Sequence, residues 1–469
     1  MRLRELRPLL ARAGVPGKGS ARTILKDSRL STFVMRFLMP AALLLTLATS
    51  VRAEGTLSIE QAVKLAWSRN PGLAASASQL EGARLEASAA RDAVLPSLEA
   101  SARALATNEP LMAFGLKLDE GRIGAQDFDP ARLNSPSAVG GVGFGVTLTQ
   151  PIYSGGRLSA GHHAADAAAG AEAQTHEAHR QQLAAEVVRA YFGTQLSANA
   201  VQFAKSGLAQ AQETERFVRA RVGQQLLLES EALRATAFRA QRESELAAAR
   251  QQAESARSAL ELLVGEPVTS AALSSPLVTE VPAGDASAPR ETPTLRAAIL
   301  RTEAAHAAGE QARGSLLPEV FLQLGAQTMR SSVAQGSTWT SAMLGARWQL
   351  SLGQLHGAQA AAARSDAAAS AARWQAQQES REVSEAQGAA VAARSRVASA
   401  TEAVTASEAV RALRAARHRE GMLPLTDLLD AETALSAART LLLQSQLEAR
   451  VARLRLSLSS GQPVEGVTP

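Results

Sequence analysis

The chain has 469 residues, no cysteine and only 3% aromatic residues. This composition excludes disulfide bonds, thiolate metal sites and a lipid anchor on cysteine, and it argues against a compact globular core. The formal charge of +5 comes from residues 1–53, which carry ten Lys and Arg against two Asp and Glu, whereas the other residues carry 39 against 42. The basic excess therefore gives no support for nucleic-acid binding.

The N-terminal segment has the pattern of a secretory signal. Arg36 precedes an apolar run at 37–48, and small residues follow at Val51-Arg52-Ala53. The apolar run is too short to span a bilayer. We predict a signal peptide over residues 1–53, with a short buried helix as the alternative, and export of the mature chain beyond the inner membrane.

Two segments of the chain repeat each other. Residues 71–98 align without a gap to residues 293–320, with Pro-x-Leu at the start of both and Leu-Pro near the end of both. Such a repeat predicts two structural halves. Between them, three prolines break any helical pattern, which indicates a connector. The predicted organisation is a first half over residues 54–267, a connector over 268–292, a second half over 293–462 and a tail over 463–469.

Four segments alternate between apolar and polar residues, as strands with two different faces do. Each is near the roughly 9–11 residues that a tilted strand needs to cross a bilayer. An apolar outer face and a polar inner face are typical of a water-filled membrane barrel, although a soluble sheet with one wet face has the same period. The predicted strands are residues 95–106, 138–153, 317–328 and 339–352, with Glu99, Arg103, Arg347 and Gln349 on the lumen face.

Four strands are too few to enclose a pore that passes solutes, so closure needs strands from other chains. Three chains would supply twelve strands. The connections over residues 107–137 and 328–338 are the longer loops that membrane barrels keep outside the cell. We expect both to be exposed there, including Asp127.

The remainder of each half is helical over a great length. Strong helix formers dominate residues 156–264 and 357–458, and apolar residues recur there every three or four positions. A continuous helix over 156–220 would be about 100 Å long, wider than a globule of this class. Gly223 and Gly421 predict the turns at which antiparallel helices reverse. The fold class is therefore mainly α with a small β part, in which long antiparallel coiled-coil-like helices adjoin four strands.

Three motifs resemble those of the TolC family of outer-membrane channels. TLSIEQAVKLAWSRNPGLAAS at 56–76 resembles the opening motif of the family. LTQPIYSGGR at 148–157 resembles its strand-to-helix junction, and REGMLPLTDLLDAETAL at 419–435 resembles the tip that narrows the periplasmic entrance. The resemblance covers the mature chain in order and in both halves. The second junction, WQLSLGQLHG, lacks the Gly-Gly-Arg of the first.

The resemblance implies a homotrimer with a twelve-stranded barrel in outer-membrane lipid and a tunnel of packed helices in the periplasm. The tunnel would dock a periplasmic adaptor protein and an inner-membrane pump, or serve a type I secretion system, as a passive exit duct. Acids at the narrowest point of the family's tunnel match Asp427 and Asp430. The same register adds Glu229 from the first half. The residues that form a polar latch at the tips of some relatives are replaced here, and Glu229 with His418 is the candidate replacement for this gate latch. The resemblance also implies tip turns with adaptor contact at Gly223 and Gly421.

No pattern indicates catalysis or a cofactor. His162-His163 and His176-x-x-His179 have no carboxylates at ligand spacing, so we predict no metal site. The glycine-rich run at 140–145 lies inside a strand pattern, which argues against a phosphate loop. We expect no enzyme. The alternative function is a secreted periplasmic coiled-coil adaptor or structural stalk, and the alternative for Asp427 and Asp430 is a solvated helix face.

Overall fold

The computed structural model describes residues 56–268, 273–275, 291–331 and 336–462. The predicted signal peptide, the predicted tail and most of the predicted connector lie outside these residues. The described residues form nine α-helices and one four-stranded antiparallel sheet. The prediction of a mainly α chain with a small β part is thus confirmed. No helix in this part of the chain is long and apolar enough to cross a membrane.

The helices make up most of the described chain. They are α1 (Ile59–Arg69), α2 (Pro71–Asp92), α3 (Pro110–Asp119), α4 (Pro130–Asn134), α5 (Arg157–Gly223), α6 (Glu229–Val264), α7 (Pro293–Gly314), α8 (Leu352–Arg419) and α9 (Leu425–Ser459). Helices α5 and α8 have 67 and 68 residues, which makes each about 100 Å long. Each is followed by a helix of about half its length, 36 residues in α6 and 35 in α9.

Capping boxes fix two of the helix starts. The Ser58 side chain accepts a hydrogen bond from the Gln61 amide, and the Gln61 side chain accepts one from the Ser58 amide, at the start of α1. Ser351 and Gln354 make the same pair of bonds at the start of α8. Helix α8 therefore begins at Leu352, where the sequence analysis placed the end of a strand.

Four strands pair antiparallel in chain order. They are β1 (Ser97–Thr107), β2 (Val139–Tyr153), β3 (Glu319–Arg330) and β4 (Gly336–Arg347). Strands β1 and β4 are therefore the edges of the described sheet. Strand β4 spans 336–347 rather than the predicted 339–352, because the capping box of α8 takes over the following residues. The connection between β1 and β2 is also not a plain loop, since it contains α3, α4 and a 3-10 turn at Ala125–Phe128.

The two faces of the sheet differ in polarity. Even-numbered residues form an apolar face, in which Leu98 lies opposite Leu148 and Leu148 lies opposite Leu324. Large side chains on this face, Leu98 and Leu344 among them, are exposed to solvent in the single chain. A bulge in β2 shifts the pairing so that Tyr153 also joins the apolar face. Exposed apolar side chains over a whole sheet face mark a surface that contacts lipid or protein.

The long helices pack as two antiparallel hairpins. Helix α5 packs along α6, α8 packs along α9, and α7 contacts both α5 and α8. The positions that α8 buries include Ala386, Ala393 and Ala400, which are seven residues apart. Alanine lets helices approach closely but buries little area in each contact. The stability of the hairpins therefore depends on their length.

The largest apolar cluster lies where α1, α5 and α6 meet. Tyr191 of α5 is fully buried at its centre. Its hydroxyl donates to the Leu57 carbonyl oxygen at 2.7 Å and accepts from the Ser275 amide at 2.9 Å. One phenol thus joins the start of the described chain to residues of the predicted connector.

Candidate functional site

The second helical hairpin reverses its direction at Gly421, between α8 and α9. Gly421 has a φ of +75°. Its amide donates to the His418 carbonyl oxygen at 3.0 Å, and the Met422 amide donates to the Arg417 carbonyl oxygen at 3.0 Å. These two bonds close the last turn of α8 around a left-handed residue. The position of the turn agrees with the sequence analysis.

The first hairpin reverses through the same bonds but at a different residue than predicted. The Gln225 amide donates to the Val222 carbonyl oxygen at 2.8 Å, and the Leu226 amide donates to the Arg221 carbonyl oxygen at 2.9 Å. The left-handed residue is therefore Gln225, with a φ of 60°, and Gly223 is the last residue of α5. The assignment of the reversal to Gly223 was wrong, because these hydrogen bonds fix which residue must be left-handed.

This difference changes how the two tips correspond. Gly421 matches Gln225, so Asp427 matches Glu231 rather than Glu229. Glu229 is the exposed first residue of α6. Glu231 is half-buried, lies 3.6 Å from Arg234 and has one carboxylate oxygen without a hydrogen-bond partner among the described residues. The acid of the first tip that corresponds to Asp427 is thus Glu231.

His418 is buried at the second tip and packs against the first hairpin. Its Nδ1 lies 2.8 Å from the Leu423 carbonyl oxygen. A carbonyl only accepts, so Nδ1 must donate. The ring packs edge-on against Phe217 at 5.8 Å between centroids, and Arg221 donates to the Arg419 carbonyl oxygen at 3.3 Å. At the tip of one chain, ring packing and a hydrogen bond from an arginine side chain to a backbone carbonyl are thus among the contacts that join the hairpins, and the His418–Glu229 latch stays a prediction.

The two acids of the second tip lie in the first turns of α9. Asp427 is half-buried, and its carbonyl oxygen accepts from Arg414 at 2.8 Å. Asp430 is exposed. A carboxylate in the first turn is favoured by the helix dipole, and Asp427 occupies that place. In the part of the chain that the structure describes, no group of three or more His, Cys, Asp and Glu side chains could hold a metal ion.

Buried polar contacts close each hairpin behind its tip, and the sequence analysis missed them. Arg411 donates to Glu432 at 2.6 Å in the second hairpin. In the first, Glu215 accepts from the Thr236 hydroxyl at 2.8 Å and from Arg239 at 2.9 Å. Counted from the left-handed residue, Glu215 matches Arg411 and Thr236 matches Glu432. An alignment of the two tip sequences could have identified these pairs, but only if Gln225 is aligned with Gly421, as the turns require.

The polar face of the sheet carries three of the four residues predicted for the lumen. Glu99, Arg103 and Arg347 have odd numbers and share the face opposite the apolar one. Gln349 lies beyond the end of β4 and is not part of the strand, so that prediction was wrong. The sequence analysis missed Glu319, which forms an ion pair with Arg347 on this face.

The Gly-Gly-Arg junction connects the end of β2 to the start of α5. Gly155 and Gly156 have φ values of +63° and +80°. A side chain on Gly155 would place its Cβ 2.6 Å from the Gly314 carbonyl oxygen, so only glycine fits. Arg157 lies 3.4 Å from Glu319 and links the new helix to β3. The second junction does without this motif because Ser351 caps α8 directly.

A family model described as outer membrane efflux protein matches residues 62–266 and 287–462, more than half of the chain. The comparison with curated proteins gave no match.

Several solved structures are similar to the chain. The open state of the Neisseria gonorrhoeae MtrE outer membrane channel has a TM-score of 0.72 and 21% identity over 88% of this chain and 90% of that chain. The outer membrane protein VceC from Vibrio cholerae has a TM-score of 0.70 and 19% identity over 87% and 97%. The Campylobacter jejuni CmeC outer membrane channel has a TM-score of 0.73 and 16% identity over 88% and 87%. At these identities the similarity shows the fold.

Proposed function

The chain belongs to the outer membrane efflux protein family, and we propose that three copies form the exit duct of a tripartite efflux pump or a type I secretion system. The duct is passive, and the energy for transport comes from an inner-membrane pump. Small molecules or proteins pass through it from the periplasmic side to the exterior. A signal peptide over residues 1–53 exports the chain.

The observation that carries this proposal is a sheet with two free edges and an exposed apolar face. Strands β1 and β4 are its edges, and an exposed edge is a template for pairing with another chain. Pairing of β4 in one chain with β1 in the next gives twelve strands in a closed trimer. Closure satisfies the edge hydrogen bonds, which a bilayer requires, and turns the apolar face towards lipid.

The long hairpins supply the tunnel. Their length of about 100 Å suits a duct that reaches from the outer membrane into the periplasm. At the tips, Leu226, Leu228 and Met422 are exposed large apolar side chains, which support docking of a periplasmic adaptor protein. A secreted coiled-coil adaptor, the alternative function, would not need strands long enough to cross a bilayer.

Membrane fractionation tests the channel. We expect the protein in the outer-membrane fraction as a trimer that resists SDS at room temperature and dissociates on heating. It should also conduct ions in a planar bilayer. A soluble periplasmic monomer would contradict the proposal and favour the adaptor or stalk.

The proposed gate consists of the tip acids. Three copies each of Asp427 and Asp430 around one axis make a ring of like charges, which attracts cations and excludes anions. Repulsion within the ring grows as the passage narrows and loses water. The exposure of Asp430 and the half-exposure of Asp427 support this role. Glu231 is the acid that the first tip would add.

Ion selectivity tests the gate. The double variant Asp427→Ala with Asp430→Ala should assemble normally, because neither carboxylate belongs to the buried apolar cluster of the tips. Its reversal potential in a KCl gradient should shift towards zero, and block by multivalent cations should weaken. Asp366→Ala, the same change at an exposed position of α8 far from the tip, is the matched control. Unchanged selectivity and block in the double variant would show that the acids are only a solvated helix face.

A further inference from the structure

Helix α3 packs on the polar face of the sheet. Ala113 and Leu116 of α3 are buried against Val139, Met329 and the partly buried Trp339. These three sheet residues have odd numbers, as do Glu99 and Arg103, and the strand register places them all on the face opposite the apolar one. Residues 110–119 therefore lie on the side of the sheet that faces the lumen in the proposed barrel.

The end of α3 fits closely against strands β2 and β4. Glu120, at the end of α3, is buried and forms an ion pair with Arg122. One of its carboxylate oxygens lies so close to Gly141 that a Cβ there would collide with it. The Ser337 hydroxyl of β4 donates to the Asp119 carbonyl oxygen. The glycine at position 141 of β2 thus makes room for the segment.

Contacts within residues 114–128 also stabilise the segment that contains α3. Lys117 contacts Asp127 at 2.8 Å, and the Gly124 amide donates to the other Asp127 oxygen at 2.9 Å. The hydrogen bond from Lys117 and that from the Gly124 amide hold the pKa of the Asp127 carboxyl below its ordinary value. Phe114 and Phe128 pack edge to face at 5.7 Å. Asp127 is therefore buried, and the expectation that it is exposed in a surface loop was wrong.

The face of α3 that points away from the sheet is apolar as well. Leu111 and Leu118 are 79% and 58% exposed. They are seven residues apart and lie opposite the buried Ala113 and Leu116 on the helix. A helix that is apolar on both sides is normally buried on both sides. This face therefore lacks a partner in the single chain.

We propose that the partner is the α3 of the two other chains, and that the three helices meet on the barrel axis and close its outer mouth. This rests on the proposed trimeric barrel. Twelve strands about 4.8 Å apart and tilted by about 40° close into a barrel about 24 Å across. This diameter joins opposite backbones, and a helix that packs on the inner face has its axis about 10 Å from the sheet, so that each α3 lies close to the barrel axis and contacts its two copies. Lipid cannot reach Leu111 and Leu118 from the lumen side, so that only water, cargo or another copy can cover them.

Cysteine cross-linking tests this contact, and the chain has no native cysteine. Leu118→Cys alters an exposed side chain and leaves the core intact. Oxidation of the purified trimer with copper phenanthroline should join two chains through a disulfide, so that at most two of every three chains appear as dimers. Leu344→Cys is the matched control, because Leu344 is 72% exposed on the opposite face of the sheet. Its three copies lie far apart around the barrel and should not cross-link.

Conductance in a planar bilayer gives the second measurement. Oxidation of the Leu118→Cys trimer should lower its conductance at least severalfold, and a reductant should restore it. Leu111→Ser with Leu118→Ser should raise conductance severalfold above the unsubstituted protein.

The outcomes separate this inference from the proposed function. An SDS-resistant outer-membrane trimer in which Leu118→Cys forms no dimers, and in which the serine variant conducts like the unsubstituted protein, overturns the closure but leaves the channel. Serine variants that conduct more, without dimers, would also overturn it and point to cargo as the partner of this face. Absence of a trimer overturns the proposed function itself.

Discussion

Replacement of Tyr191 by phenylalanine should loosen the joint between the start of the described chain and the predicted connector. The change removes one buried hydroxyl and keeps the ring that packs edge to face on Phe192. The Leu57 carbonyl oxygen keeps a hydrogen bond from the Ser274 amide at 3.2 Å. The Ser275 amide loses the hydroxyl to which it donates.

The cost follows from these two bonds. A lost hydrogen bond costs about 1 kcal/mol, and a donor left without a partner costs about 1–3 kcal/mol when buried. Ser275 is only half-buried, so water offsets part of the second amount. We expect a total of about 2 kcal/mol, which corresponds to roughly thirtyfold in a local opening equilibrium.

Amide hydrogen exchange followed by mass spectrometry measures this opening. Peptides that cover residues 56–60 and 273–275 should exchange roughly thirtyfold faster in Tyr191→Phe, with little change at the helical tips. The chain has only two tyrosines, and Tyr153→Phe is the matched control because Tyr153 is 49% exposed. Exchange at 273–275 within twofold of the unsubstituted protein would refute the role assigned to the Tyr191 hydroxyl.

Three further predictions concern a junction, a hairpin and the α3 segment. Gly155→Asn should abolish folded trimers on semi-native gels, whereas Gly156→Asn should cost only about 1 kcal/mol, because both residues are left-handed but only the first abuts backbone. Glu432→Gln removes a buried ion pair to α8 and should lower the free energy of unfolding by about 2 kcal/mol. Glu448→Gln removes an exposed ion pair and should lower it by only about 0.5 kcal/mol. Equal denaturation midpoints for the two variants would contradict this prediction. The pKa of Asp127 is lowered on folding, so its stabilisation is complete above the ordinary value near 4 and is lost only as the pH falls through the lower, folded value. The amide protection factors in residues 110–128, which are exchange rates corrected for the intrinsic dependence of exchange on pH, should therefore be unchanged from pH 7 to pH 5 and fall only in stronger acid. A fall already at pH 5 would contradict the assignment.

The sequence by itself determined the long helices, the four strands and the order in which they follow one another. Helices of great length follow from strong helix formers and apolar spacing, and Ser58 with Gln61 sets a helix start through contacts only three residues apart. The alternation in β1 to β3 likewise marks strands and separates their faces, because side-chain direction in a strand is fixed by its period of two. These patterns involve residues that are close together in the chain, so the sequence alone is enough to recognise them.

Only the tertiary structure decided which residues meet. The left-handed residue of the first tip is Gln225, since its position depends on the hydrogen bonds that close α5 and not on where a glycine stands. Glu319 makes its ion pairs because β3, β4 and α5 come together, and Arg411 contacts Glu432 because α8 and α9 pack as a hairpin. The 107–137 connection reads as a polar loop, yet its α3 lies on the sheet because Gly141 leaves space there and Met329 lines it. Contacts between distant segments depend on shape, and no local pattern encodes that.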